Sequence, residues 1–299
     1  MEVIHFEYND NFVNKEDIAL CLGSFDSLHL GHIQIIKKAL KSGYKSALMT
    51  FDINPKTVLG IREKNHSILS LYDKKDLLES MGVDYLFVFH FDENVAKLSR
   101  YEFVEVIFKK INPKLICCGE DYRFGNNALG NTEYLKQFFN VDVVKILKMN
   151  KKKISTADII SCIEKGDIEK VNELLNRPYS IKGTVVNGLG NGKKIGFPTA
   201  NIDLDFEYVL PKEGVYNGYS FVDGKKYKAI ISVGTHPTIQ TLSKPIIEVH
   251  ILDYSNNLYG KFIDVQFIRR TRNIIKFENL NDLQKQLEKD EELAKKELK

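Results

Sequence analysis

Gly23-Ser24-Phe25-Asp26-Ser27-Leu28-His29-Leu30-Gly31-His32 turns a short apolar run directly into an amphipathic one. Ahead of it, Ile18-Ala19-Leu20-Cys21-Leu22 is continuously apolar, as a strand buried on both faces is. Behind it, Ile33, Ile36, Ala39 and Leu40 recur at helical spacing among lysines. The stretch therefore reads as a strand-to-helix turn. Gly23 and Gly31 let the backbone approach a ligand, and a helix opening near Gly31-His32 aims N–H groups and its positive end at phosphate. His29 and His32, three apart, share a face, where imidazoles that donate to a phosphoryl centre neutralise charge as an α-phosphate is attacked. The residues alone leave two alternatives open: a histidine pair also fits a metal site, and Gly and Asp also fit a purely structural turn.

Around this turn the chain has 299 residues, enough for about two domains, and its 43% hydrophobic content suffices for ordinary cores. Basic and acidic residues number 43 and 40, so the formal charge of +3 argues against a dedicated nucleic-acid surface and makes any phosphate binding local. Cys21, Cys117, Cys118 and Cys162 form no CxxC pair and read as buried thiols of a reducing compartment. No signal-like segment opens the chain and no apolar run approaches 18 residues, so the expectation is a cytoplasmic protein without a membrane partner.

Downstream of His32, strands are expected at Lys45 to Phe51, Tyr85 to Phe89, Leu115 to Cys118 and Val141 to Ile146. Helical patterns near Lys74 to Met81 and Arg100 to Lys110 lie between them. Such alternation predicts a doubly wound parallel sheet, with ligands at the carboxyl ends of the strands, where His29, Phe51-Asp52 and Gly119-Glu120-Asp121 converge. Asn176-Arg177-Pro178 breaks the pattern and marks a boundary, giving domains 1–178 and 179–299. Beyond it, short strands at Ile181 to Val186, Val215 to Val222, Tyr227 to Val233, Ile246 to Leu252 and Phe262 to Phe267 predict a small antiparallel barrel or sandwich. A helix starting at Asn279, with Leu283, Leu287 and Leu293 on its apolar face, closes the chain.

The centre of the second half is Gly188-Leu189-Gly190-Asn191-Gly192-Lys193-Lys194-Ile195-Gly196-Phe197-Pro198-Thr199-Ala200-Asn201. Its spacing fits neither GxGxxG nor a Walker loop, yet a Gly/Lys loop wraps phosphates with backbone N–H groups, unless it is only a flexible hairpin connection. Thr199 and Asn201 offer oxygens suited to Mg²⁺.

Two resemblances sharpen these readings. The first turn resembles the GxFDxxHxGH signature of the nucleotidyltransferase superfamily, which places Gly23, Phe25, Asp26, His29, Gly31 and His32 at a triphosphate site. With the loop Gly119-Glu120-Asp121-Tyr122-Arg123-Phe124-Gly125, similar to GxDFxFG, and with Gly188 to Asn201, similar to GxGRGRxLGxPTAN, the chain resembles the bacterial bifunctional riboflavin kinase/FAD synthetase family. Gly214-Val215-Tyr216, Val233 to Thr238, Glu248-Val249-His250, Leu258 to Lys261 and Arg272 match in the same order.

The resemblance implies an α/β nucleotidyltransferase domain, then a six-stranded riboflavin kinase-like β-barrel with a C-terminal helix. It implies ATP and phosphate contacts from Asp121, Ser155 and Thr156 in the first domain, and from Gly188, Gly190, Gly192, Lys193, Gly196 and Pro198 in the second. Thr199 and Asn201 would organise Mg²⁺ and ATP, Asn201 and Arg272 would meet the flavin, and Glu248 would be the general base. The implied activities are phosphorylation of riboflavin to FMN and adenylylation of FMN to FAD, with Mg²⁺ in both. Three positions depart from the family pattern: Asn54 in place of a His, Ala157 in place of a Thr and Ile160 in place of an Arg. Two alternatives therefore stand beside the bifunctional enzyme, a kinase with an impaired adenylyltransferase domain and a non-catalytic flavin sensor.

Overall fold

Short apolar runs become the strands of one parallel sheet: Glu2–Phe6 (β1), Ile18–Leu22 (β2), Lys45–Phe51 (β3), Tyr85–Phe89 (β4), Leu115–Gly119 (β5) and Val141–Val144 (β6). The computed structural model describes residues 1–61, 66–187, 196–234 and 246–299. The sheet order is β1-β4-β3-β2-β5-β6, and every neighbouring pair is parallel, so the doubly wound expectation holds. The chain steps from β2 to β3 to β4 in one direction and then returns to place β5 on the other side of β2, which makes the end of β2 the switch point. All five residues of β2 are buried, as its unbroken apolar run requires. The edge strand β1 lies outside the expected set; its mixed sequence Glu2-Val3-Ile4-His5-Phe6 suits a strand that pairs with β4 alone. A ribbon of Lys148–Met149 (β7) and Lys152–Lys153 (β8) follows the sheet.

The second half closes into a barrel of Tyr179–Val186 (β9), Ala200–Asp203 (β10), Gly214–Val222 (β11), Lys225–Gly234 (β12), Ile246–Ile251 (β13) and Phe262–Arg272 (β14), ordered β10-β13-β12-β11-β14-β9. All its pairings are antiparallel, and closure leaves no unpaired edge. Close packing at one corner demands glycine: a Cβ on Gly218 would stand 2.0 Å from the Gln266 carbonyl oxygen, where the β11–β14 register shifts.

By their internal packing the residues form two units, Met1–Thr156 and Ala157–Lys299, so the division falls ahead of the Pro178 break. The helix Ile168–Leu175 and most of the helix Thr156–Lys165 go with the barrel. Asn172 accounts for part of this: its side-chain nitrogen donates to the Phe267 carbonyl at 2.9 Å, and its oxygen accepts the Tyr179 N–H at 2.7 Å. The terminal helix Leu280–Glu297 starts at the expected cap, with the Asn279 oxygen accepting from the Asp282 N–H. Leu283 and Leu287 of the expected face are half-buried. Leu293 is 37% exposed, whereas Asp290, Ala294 and Leu298 are buried.

All four cysteines are free thiols, three of them buried, and burial pushes Cys117 and Cys118 up to about 12, out of the reactive range. Among the described residues no helix is long and apolar enough to cross a membrane.

Candidate active site

The register that sets Leu22 beside Met49 and Cys118 places the Gly23–His32 turn level with the ends of β3 and β5. The turn is tightly built. Phe25 and Leu28, both buried, adopt the left-handed backbone at φ 46° and 44°, a conformation that costs non-glycine residues and persists only where the surroundings enforce it. His29 is the N-cap of the helix Leu30–Leu40, its Nδ1 accepting the His32 N–H at 3.2 Å. Accepting at Nδ1 fixes the neutral tautomer and puts the ring proton on Nε2. The His32 ring stacks on His29 at 3.7 Å and lies 5.0 Å from the Phe25 ring. Leu30 and Gly31 contribute first-turn N–H groups that have no intrahelical acceptor. Two imidazoles and a helix N-terminus thus meet at the sheet's switch point, an arrangement built for anionic oxygen.

Thr156, another predicted residue of this half, meets the turn. Ser27 and Thr156 share a hydrogen bond between hydroxyls at 3.1 Å, which joins the turn to the segment after β8. Asp121 forms an ion pair with Lys153, so the loop after β5 meets the β8 lysine. That loop closes through a bridge between Phe124 and Gly130, where a Cβ on Gly130 would stand 2.6 Å from the Phe124 ring. Ser155 is half-buried beside Thr156. At Asn54, in place of a histidine, the side chain caps the short helix Pro55–Val58 by accepting the Lys56 N–H. A histidine does stand nearby: His90, just past β4, bonds Asp52 at 2.6 Å, and that carboxylate raises its pKa.

In the barrel, Asn201 on β10 lies directly opposite Glu248 on β13. Directly paired residues share a face, and the alternation of buried Ala200 and Ile202 with Thr199 and Asn201 turns Thr199 to that face too. Two neutral oxygen donors beside one carboxylate suit a hard cation that takes most of its ligands from phosphate and water. His250, given no role from sequence, anchors the approach: its Nδ1–H donates to the Pro198 carbonyl at 2.8 Å and its ring lies 5.5 Å from Phe197. Gly196, with φ 84°, uses the left-handed region just ahead of it. Gly188, Gly190, Gly192 and Lys193, and the matched positions 235–238, lie outside the described residues.

Arg272, expected to meet the flavin, makes bonds within the protein. Its Nε and Nη2 bond the buried Asp290 carboxylate of the terminal helix, the shortest contact being 2.6 Å, and Nη1 donates to the Asn273 carbonyl. Most of its donors are thus engaged within the protein.

The two units define a class, a nucleotide-using transferase that joins a nucleotidyltransferase-type α/β fold to a closed six-stranded barrel on one chain. Residues 12–158 match the FAD synthetase family model and residues 175–298 the riboflavin kinase model. The chain belongs to the bacterial bifunctional riboflavin kinase/FMN adenylyltransferase family. It is 33% identical to the Bacillus subtilis member, over 98% of this chain and 97% of that one. It is 34% identical to the Listeria monocytogenes member, over 94% and 91%. A crystal structure from Streptococcus pneumoniae, described as a macrolide-efflux protein, superposes with a TM-score of 0.92 at 30% identity over 98% of both chains. That description belongs to the Streptococcus protein; the shared feature is the fold of both halves.

Proposed function

We propose that the barrel unit transfers the γ-phosphoryl group of ATP to riboflavin, releasing ADP and FMN, and that the α/β unit joins AMP from a second ATP to FMN, releasing pyrophosphate and FAD. The observation that carries the first step is the pairing of Asn201 with Glu248 across β10 and β13. A primary hydroxyl is a poor nucleophile at neutral pH, and a carboxylate on a rigid strand takes its proton as the oxygen–phosphorus bond forms. Thr199 and Asn201 are the residues that would hold Mg²⁺, which when bound neutralises the phosphate oxygens. His250 keeps Phe197-Pro198 against β13 and so places Thr199.

In the α/β unit a phosphate oxygen of FMN attacks the α-phosphorus of ATP and pyrophosphate leaves. No residue becomes covalently attached. The Nε2–H of His29, the His32 ring and the N–H groups of Leu30 and Gly31 meet the charge that builds on the phosphoryl oxygens. Ser155 and Thr156, tied to the turn through Ser27, are assigned to the polyphosphate. Ile160 supplies no donor where an Arg would supply two, so the second step is the slower one.

Glu248→Gln tests the kinase assignment. The substitution keeps the size and polarity of the side chain and removes the base, so FMN formation falls about 10²-fold or more while riboflavin and ATP still bind. Turnover near that of the unsubstituted enzyme removes Glu248 from the mechanism.

A further inference from the structure

Lys74 lies in the first turn of the helix Leu71–Ser80, and it is only 6% exposed. Its ammonium donates to the Thr50 hydroxyl at 2.6 Å, and Thr50 is itself 1% exposed. Three features of this placement work against stability. Burial strips the ammonium of water, ordering its long side chain costs rotamer entropy, and the N-terminal end of a helix repels a cation. A methionine of similar length incurs none of these costs. Burial lowers the Lys74 pKa to about 8, and the carboxylate of Asp26, in the Gly23–His32 turn, partly counters that by attraction.

The position of this charge is well fixed. Ser70 and Asp73 form a capping box at the start of the helix, Ser70 Oγ accepting the Asp73 N–H and Asp73 accepting the Ser70 N–H, both at 3.0 Å. Thr50 is one residue past Met49, the partner of Leu22, so it stands level with Gly23 at the start of the turn. The lysine therefore reaches from a rigid helix end to the end of β3, level with the start of the turn.

We propose that Lys74 is a positioning residue for adenylyl transfer, a buried ammonium that, by bonding Thr50, fixes the end of β3 level with the start of the Gly23–His32 turn. The turn holds two non-glycine residues in the left-handed region, and an anchored end of β3 beside it keeps that backbone and the His29/His32 stack in one arrangement. Lys74 acts on ATP and FMN only through the turn. The inference rests on the α/β unit being the adenylyltransferase.

The test uses the full-length chain, which carries its own internal control in the riboflavin kinase reaction. In Lys74→Met, FAD formation from supplied FMN falls at least 10-fold in kcat, while KM for ATP changes less than threefold and FMN formation is unchanged. Thr50→Val keeps the ammonium but removes its anchor, and gives a smaller loss of the same kind, about 3–10-fold, should the first variant fold poorly. Undiminished FAD formation in both variants overturns the proposal. So does a loss confined to KM, which would make Lys74 a direct ATP ligand, or a parallel loss of both activities with lowered stability, which would make it structural. Absence of FAD from the unsubstituted chain instead overturns the assignment of adenylyl transfer on which the inference rests.

Discussion

At the scale of single residues, the chemistry was legible wherever a short string fixes both identity and spacing. His29 and His32 come together as a stacked pair on a helix N-terminus, as their spacing implied, and Glu248 meets Asn201 although 47 positions separate them in sequence. Lys74 was not legible. A lysine on an amphipathic pattern reads as a solvated face, and its burial depends on the end of β3 arriving above it. That burial predicts a pH signature. The folded-state value of about 8 lies below the ordinary 10.5, so below pH 8 the lysine is charged in both states and folding bears the full penalty. The penalty fades as pH rises from about 8 to 10.5, because the unfolded chain then holds the extra proton. Relative to Lys74→Met, the unsubstituted chain should therefore gain up to about 3 kcal/mol of stability between pH 7 and pH 10.5. Measuring the difference between the two chains by urea melts across this range cancels the opposing effect of the buried Cys117 and Cys118 thiols, which weaken the fold as they ionise on unfolding. A difference independent of pH contradicts the buried charge.

At the scale of elements, strands with unbroken apolar runs were read to within a residue or two, because burial on both faces leaves no other solution for Ile18–Leu22 or Tyr85–Phe89. Besides the two-residue strands β7 and β8, two strands escaped. β1 is an edge with a mixed sequence, and β10 is only four residues long and sits in a stretch whose Gly, Pro and Thr suggest a loop. The terminal helix was placed correctly and Leu283 and Leu287 lie on its inner side, but periodicity could not foresee that Leu293 is exposed and an aspartate buried. Asp290 is buried because Arg272 reaches it from β14, with side-chain exposures of 6% and 18%. Gln286 adds a bond to the same carboxylate at 2.9 Å. Asp290→Ala leaves the guanidinium beside an apolar surface with its partner gone, and should cost about 3 kcal/mol in a urea melt, the lower end for breaking a buried pair. A loss under about 1 kcal/mol would return Arg272 to the class of surface ion pairs and free it for the flavin.

For the whole molecule, composition and motif order together gave the two-unit architecture, and the family resemblance supplied what periodicity leaves open, a closed barrel rather than a sandwich. Packing divides the chain after Thr156, whereas the riboflavin kinase model begins at residue 175; a proline marks where a helix ends and not which core the helix joins. Ile159, Ile163, Ile168, Val171 and Leu175 are buried within the unit that begins at Ala157. A fragment of residues 157–299 should fold cooperatively and form FMN, whereas one of 177–299 loses that helical layer and melts markedly lower. Equal melting of the two fragments would make the helices dispensable to the barrel. The most direct measurement for the molecule is the time course of products from riboflavin and excess Mg-ATP, resolved as FMN with ADP and FAD with pyrophosphate. Two sites of unequal speed on one chain predict FMN rising first, then FAD at its expense, each molecule of FAD matched by one of pyrophosphate. FMN that persists without any FAD, even when FMN is supplied directly, would contradict the account.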